Sequence, residues 1–321
     1  MNEPRLQHYI PRFYLSGFAD PNILGREKRQ VIWVYERGRD PRRSSPEREA
    51  RKRDFYTCKE DGSRSVDVEI WFGKLEEQVA PIIASLMRVQ RHITETEKQS
   101  LALFIGTMHM RTPAQRRLSE TRVEPFVTKL MKEVAADNGK FRKFVEENPS
   151  VLGDQNYDVE ELRQAILAGR GDDFAAREDY QLMSIIEVGK MEANVLLNMN
   201  WQTVYSEDQD LFLTSDDPVV AWVVDEPTNK LHLRMGIGSP GVNVWFPLCR
   251  TICLRINKNC ETGYGSWVNP GIRYVNKITA MCADRWVYAS KQSKEIKGLF
   301  DKKGGRVSVD TVDLRFEGRK Y

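Results

Sequence analysis

The sequence predicts an α+β domain over residues 1–321, in which N-terminal and C-terminal strands form one mixed or antiparallel sheet around a central helical segment. Three observations predict it. A β-branched, aromatic run near the N-terminus forms the chain's first strand candidate. Apolar residues then recur at helical spacing from about 66 to 199. After Trp201 the period changes to two, and the chain is strand-rich to about residue 290.

Taken in order, "PRFYLSGF" (Pro11–Phe18) reads as a two-turn helix, with Pro11 in its first turn and Gly17 stopping it. Tyr14, Leu15 and Phe18 share one side, so that side must dock into a core. "QVIWVYE" (Gln30–Glu36) is the first long strand. Arg37–Arg53 reads as a polar loop and "DFYTC" (Asp54–Cys58) as a short second strand. Leu75, Val79, Ile82, Ile83, Leu86 and Val89 mark a helix between about Val66 and Arg91. Thr94 with Glu97 is a capping box opening a helix that buries Leu101, Phe104, Ile105 and Met108. Thr112, Pro113 and Gln115 form a second start signal, so one helix ends near Arg111 and another runs from Pro113 to about Ala136. Helices are also expected at Val159–Leu167 and Asp173–Met199. "WQTVYS", "DLFLT", "VVAWVV", "KLHLRM", "NVWFPL" and "TICLRI" read as strands. Asn276 caps a short helix before a last strand from Trp286, and a basic, weakly structured tail spans 291–321.

Composition excludes several classes. No apolar run approaches the ~20 residues of a membrane span, and the N-terminus lacks the pattern of a secretory signal. Five cysteines without a CxxC pair read as reduced thiols of a cytoplasmic protein. The net charge of +3 hides an uneven distribution. Residues 1–60 hold 14 Lys/Arg against 9 Asp/Glu, and residues 241–321 hold 15 against 7. Basic ends around an acidic middle suit a polyanionic partner, a nucleotide or nucleic acid, and suit equally an internal pairing of ends with middle.

Gly236, Gly238 and Gly241 spell GxGxxG, but Pro240 interrupts the motif and a strand follows it, so it is a hairpin loop and no dinucleotide site. Cys249 and Cys253 lie four apart, without the further ligands of a zinc site. His109 falls on the apolar face of its helix, as a satisfied core histidine does, and Glu187 with Lys190 makes a surface pair. Arg111 ends that helix, where a guanidinium caps carbonyls or reaches into a cleft. Asp216 and Asp217 end a strand before Pro218, where carboxylates hold a metal, orient a base or start a turn. Successive strand residues point opposite ways, so at most one of the two faces a given site. His8, just before the first helix, is expected to be neutral beside the positive end of the helix dipole.

Six blocks, "QHYIPRFYLSGFAD", "RDFYT", "LALFIGTMHMRTPAQRR", "WQTVYSEDQDLFLTSDDPVV", "FPLCRTICLRI" and "VNKITAMCADRWVYAS", together resemble the DUF4238 family. His8, Pro11, Tyr14, Leu15 and Phe18 match its amino-terminal pattern. Arg111, Thr112 and Pro113 match its central one, and Thr214, Ser215, Asp216, Pro218 and Val219 its last. The family often has Asn at the position of Asp217, which favours Asp216. The resemblance implies a mainly bacterial, cytosolic protein and supplies no function, but it singles out His8, Arg111 and Asp216.

The resulting expectation is a phosphoester- or nucleic-acid-directed hydrolase, nuclease-like or a toxin or defence effector. His8, Asp216 and Arg111 would be catalytic, and Arg12, Tyr14, Arg116 and Asn276 would contact substrate. Any metal would be Mg²⁺ or Mn²⁺, on Asp216, Asp217 and His8. Two alternatives stand beside it: non-catalytic binding of nucleotide or nucleic acid, or motif residues that only staple the fold.

Overall fold

The computed structural model describes residues 6–25, 29–56, 58–60, 63–65, 67–118, 132–147, 158–169, 178–207, 211–225, 228, 230–268, 271–303 and 312–313. It is an α+β fold with two main sheets. The strands Asn200–Ser206 (β8), Val220–Asp225 (β10), Lys230–Leu233 (β11), Asn243–Cys249 (β12), Ile252–Asn257 (β13), Gly263–Trp267 (β14) and Val312–Asp313 (β16) form the larger, ordered β14-β8-β13-β12-β10-β11-β16. All neighbours are antiparallel except β14 and β8. The smaller sheet joins the two ends of the chain, as expected. Gln30–Glu36 (β3) pairs with Trp286–Ala289 (β15), flanked by Asp20–Leu24 (β2), Arg42–Ser44 (β4) and Thr214–Ser215 (β9). The ends therefore build a second sheet and do not extend the first.

Strand alternation explains why both faces of the large sheet are covered. Val244, Phe246, Leu254 and Ile256 face one side, where they meet the helices Asp67–Arg88 (α2), Glu95–Met110 (α3) and Glu178–Leu197 (α7). Trp245 and Cys253 face the other, packing with Ile272, Val275 and Ile278 of the helix Gly271–Cys282 (α8). Among the described residues, no helix is long and apolar enough to cross a membrane.

The expected helix starts hold locally. Thr94 and Glu97 make the capping box, and Val159–Leu167 (α6) is helical over that whole span. Gln115 donates its backbone N–H to Thr112 Oγ1 as the helix Pro113–Leu118 (α4) begins. Most of the expected continuation toward Ala136 lies outside the described residues. Asn138–Glu147 (α5) and Lys294–Lys303 (α9) are further helices, so the basic tail begins as a helix.

Several expectations change. The opening helix, Arg12–Ser16 (α1), has five residues. Gly17 is needed because a Cβ there would lie 2.9 Å from Cys249 Cβ, and its φ of −63° asks for no glycine. The arginine-rich stretch expected as loop contains β4 and Arg51–Arg53 (β5), which pairs with Leu6–His8 (β1). "DFY" is a turn and no strand: Asp54 has φ 52°, which turns Phe55 and Tyr56 into the core. Beyond it, Cys58–Glu60 (β6) and Ser63–Ser65 (β7) form a separate ribbon. The glycine loop joins β11 to β12, which flank β10 on opposite sides, so it crosses a strand and closes no hairpin. Cys249 and Cys253 sit on neighbouring strands; with Cys260 and Cys282 they are buried, unpaired thiols. Asn276 lies inside α8 and not at its start.

Candidate functional site

The segment from His109 to Arg117 leaves α3, turns, and enters α4. Its side chains reach two helices and three connecting segments. His109 Nδ1 bonds Glu192 on α7 at 2.9 Å. Arg111 Nη1 donates to Glu76 Oε1 on α2 at 3.0 Å, and its guanidinium lies 4.8 Å from the Phe72 ring centroid. Thr112 Oγ1 donates to Asp217 Oδ1 at 3.1 Å. Arg116 donates to the Phe55 carbonyl and stacks 3.8 Å over its ring. Arg117 pairs with Asp284 at 2.6 Å.

Arg111 is the most enclosed of these cations, at 1 % exposed, and its Nε and Nη2 have no hydrogen-bond partner. Tyr56, also buried, has an unpartnered hydroxyl close enough to feel the Arg111 charge. Burial pushes the Tyr56 hydroxyl well up from its usual range, so it stays protonated and is a donor. Burial also raises Glu76, and Arg111 opposes that shift.

The opening strand β1 supplies the other wall. Gln7 and Tyr9 point inward, one residue either side of His8. Gln7 accepts from the Tyr56 backbone N–H and donates to Glu69. Burial first, then the charges of Asp216, Asp284 and Glu49, raises the Tyr9 phenol; burial first, then Tyr9, Asp216 and Glu49, raises that of Tyr288. His8 faces the opposite way, toward Pro46, Glu47, Arg51 and Arg12. It is held below its ordinary value, chiefly by burial and then by the two arginines, and its Nε2 is unpartnered. The neutral imidazole expected from the helix dipole therefore arises mainly from burial.

Asp216 has a structural task. Oδ1 accepts from the Asp284 N–H at 2.8 Å, and Oδ2 from those of Arg285 and Trp286 at 2.8 and 3.1 Å. The carboxylate thereby fastens the corner between α8 and β15 to the end of β9. Burial and the Asp284 charge push it up to about 7, against those three amides. Asp217 points the other way, as strand alternation requires, toward Thr112 and Arg234, whose Nε lies 4.0 Å from it.

The expected catalytic trio is thus given three separate sets of partners: a loop for His8, α2 for Arg111, and backbone amides for Asp216. Three further expected assignments find other partners in the structure. Tyr14 is buried, donating to the Pro247 carbonyl and bonded to Thr214 Oγ1, so it locks α1 to the sheet. Asn276 clamps the loop before β9, accepting from Leu213 N–H and donating to the Leu211 carbonyl. The set Asp216, Asp217 and His8 is not assembled for a metal, since the two carboxylates diverge; among the described residues no three His, Cys, Asp or Glu are grouped to hold one. Arg12 is exposed beside His8, and Arg116 is in the seam. Sequence reasoning missed Gln7, Tyr9, Tyr56, Glu76 and Arg234. For the first two the signal was present: once residues 6–8 are extended, Gln7 and Tyr9 share the face opposite His8.

Buried groups with raised proton affinity set a pH dependence, His109 and Asp216 among them. Burial lowers His109, but the Glu192 charge and hydrogen bond outweigh it, and the net shift is upward from 6.5. Asp216 is also raised, from 3.8. A raised group binds more protons folded than unfolded, so its stabilising share is complete below the unfolded value and lost as pH rises through the folded one. The share of Asp216 fades between about 4 and 7, and that of His109 above about 6.5. Glu97, held down to about 2 mainly by Arg91, acts at lower pH. Thermal unfolding should therefore show a higher midpoint at pH 6 than at pH 8. His109→Gln should flatten that slope; an equal slope in the variant would remove His109 as its source.

A protein of two sheets and enclosing helices, with a buried arginine-centred seam, now has a family. Residues 6–293 match the family model described as "Protein of unknown function (DUF4238)", and the chain belongs to that family. No curated protein and no solved structure matches it.

Proposed function

We propose that this protein binds a nucleotide or nucleic acid without cleaving it, through the basic surface around β5, in the reducing setting of the cytoplasm. One observation carries the reading: Arg51, Lys52 and Arg53 are consecutive strand residues and all exposed. Strand alternation ordinarily hides one face, but among the described residues β5 pairs with β1 alone, in a two-stranded ribbon. Arg12, Arg43 and Arg48 are exposed on neighbouring segments. Lys52 stands 5.5 Å over Phe55 and Arg43 5.1 Å over Trp33. Such stacking orders long side chains without neutralising them. The acidic residues here are partly engaged, with Glu49 holding Arg42 through two hydrogen bonds. Arg53 also pairs with Asp54 at 3.6 Å, at the exposed end of the row. A phosphate backbone is the partner that rewards a row of exposed cations.

The test is fluorescence anisotropy with labelled single- and double-stranded RNA and DNA over a range of salt. Affinity should fall as salt rises, with a slope of roughly 0.7–0.9 per phosphate contacted. The triple variant Arg51→Glu, Lys52→Glu, Arg53→Glu should bind at least tenfold more weakly, while Asp40→Asn should bind as wild type. Absence of salt-dependent binding, or a triple variant that binds normally, would overturn the proposal. The same samples with Mg²⁺ or Mn²⁺ examine the hydrolase reading: strand cleavage abolished by His8→Ala would replace binding with catalysis.

A further inference from the structure

We propose that Arg111 and Tyr56 form an interior site for a small oxyanion, separate from the basic surface. The Nε and Nη2 of a guanidinium lie on one edge and donate in parallel, the fork that matches two oxygens of a phosphate or carboxylate. In Arg111 that whole edge is unpartnered, while Nη1 is occupied by Glu76. The ring of Phe72 fixes the plane of the guanidinium from one face. The Tyr56 hydroxyl adds a third donor without a partner. Three buried donors with no acceptor cost about 1–3 kcal/mol each if left so. They are satisfied together by a group that accepts several hydrogen bonds and donates none. An oxyanion is such a group, whereas a water brings two donors of its own.

The charges around the site permit a negative guest. Arg116 stands 5.8 Å over the Tyr56 ring, and the charges of both Arg111 and Arg116 reach the Tyr56 hydroxyl. Glu76 is the carboxylate in direct contact with Arg111, and burial raises its affinity for a proton. Glu69 is turned toward the Gln7 amide. Hydrophobic walls come from Phe72, Phe55 and Tyr56, whose rings pack at 4.9–5.0 Å. Enclosure makes the anion small and its entry slow, since the seam must open to admit it.

The experiment is thermal unfolding after overnight equilibration in chloride buffer with added phosphate, sulfate or acetate, on the full chain. Phosphate or sulfate favoured over acetate would identify a tetrahedral guest; the reverse order would identify a carboxylate. The variant is Tyr56→Phe, which keeps the ring and removes the third donor. In anion-free buffer it should unfold at or above the wild-type temperature, because an unpaired buried donor has been removed. Wild type should gain about 3 °C or more at hundredfold saturation, and Tyr56→Phe should need at least tenfold more anion for the same gain. Arg111→Lys, which keeps charge but loses the fork, should lose the response. No shift with any of the three anions, or an unchanged response in Tyr56→Phe, would overturn the proposal and leave the donors to water.

Discussion

Asp216→Ala should remove roughly 3–6 kcal/mol of stability, because it leaves the partly buried N–H groups of Asp284, Arg285 and Trp286 without this acceptor, at about 1–2 kcal/mol each, the lower part of the range for a lost partner. Against a total stability of about 5–15 kcal/mol, that is enough to unfold a marginal chain. Relief of a carboxylate held up to about 7 returns some of the loss, so the lower half of the range is expected near neutral pH. Asp216→Asn should lose less, since it keeps one acceptor while turning an NH₂ toward backbone donors. Urea unfolding followed by circular dichroism reads both. A loss below about 1 kcal/mol in the alanine variant would mean that the corner of α8 and β15 holds without this carboxylate, reopening Asp216 for chemistry.

Gly106→Ala should cost about 2–3 kcal/mol, the usual scale of overpacking. A Cβ there would stand 2.2 Å from the Gly189 carbonyl oxygen and 3.2 Å from the Ala193 nitrogen, so α3 and α7 must separate. Better helix propensity returns up to about 1 kcal/mol and does not reverse the sign. Gly189→Ala meets Thr107 Cγ2 at 2.7 Å and the Thr107 backbone Cα and N at 3.0 Å, a less severe approach than 2.2 Å, and should cost less. The two substitutions press on one contact, so their effects should not add. Wild-type stability in Gly106→Ala would show that the helices accommodate the methyl by sliding. The same contact positions the seam: α3 carries His109 and is capped by Arg111, and α7 carries Glu192.

Where structure follows from neighbours in the chain, the sequence was legible. Thr94 with Glu97 and Thr112 with Gln115 announce helix starts through bonds three residues long. β3 and α6 are placed to the residue by their patterns. β5 was not, because Arg-Lys-Arg carries no apolar period, and its pairing with β1 over 40 residues away makes it a strand. "DFY" misleads in the opposite sense: its aromatic content suggests a strand, but its two rings are buried from a turn.

The candidate site divides along the same line. The residue types of the amino-terminal stretch, of Arg-Thr-Pro and of Thr-Ser-Asp were all visible, but not the direction of their side chains. Those directions assign His8 outward, Gln7 and Tyr9 inward, Asp216 to backbone amides and Asp217 to the seam. Sequence alone determined the α+β class, the helix starts, and the excess of charge at the ends, since propensity, capping and composition act over a few residues. Only the tertiary structure decided that Arg111 meets Glu76 and Tyr56, and Thr112 meets Asp217, at separations of 35 to 105 residues. Burial gives those meetings their energy, and burial is a property of the packed chain.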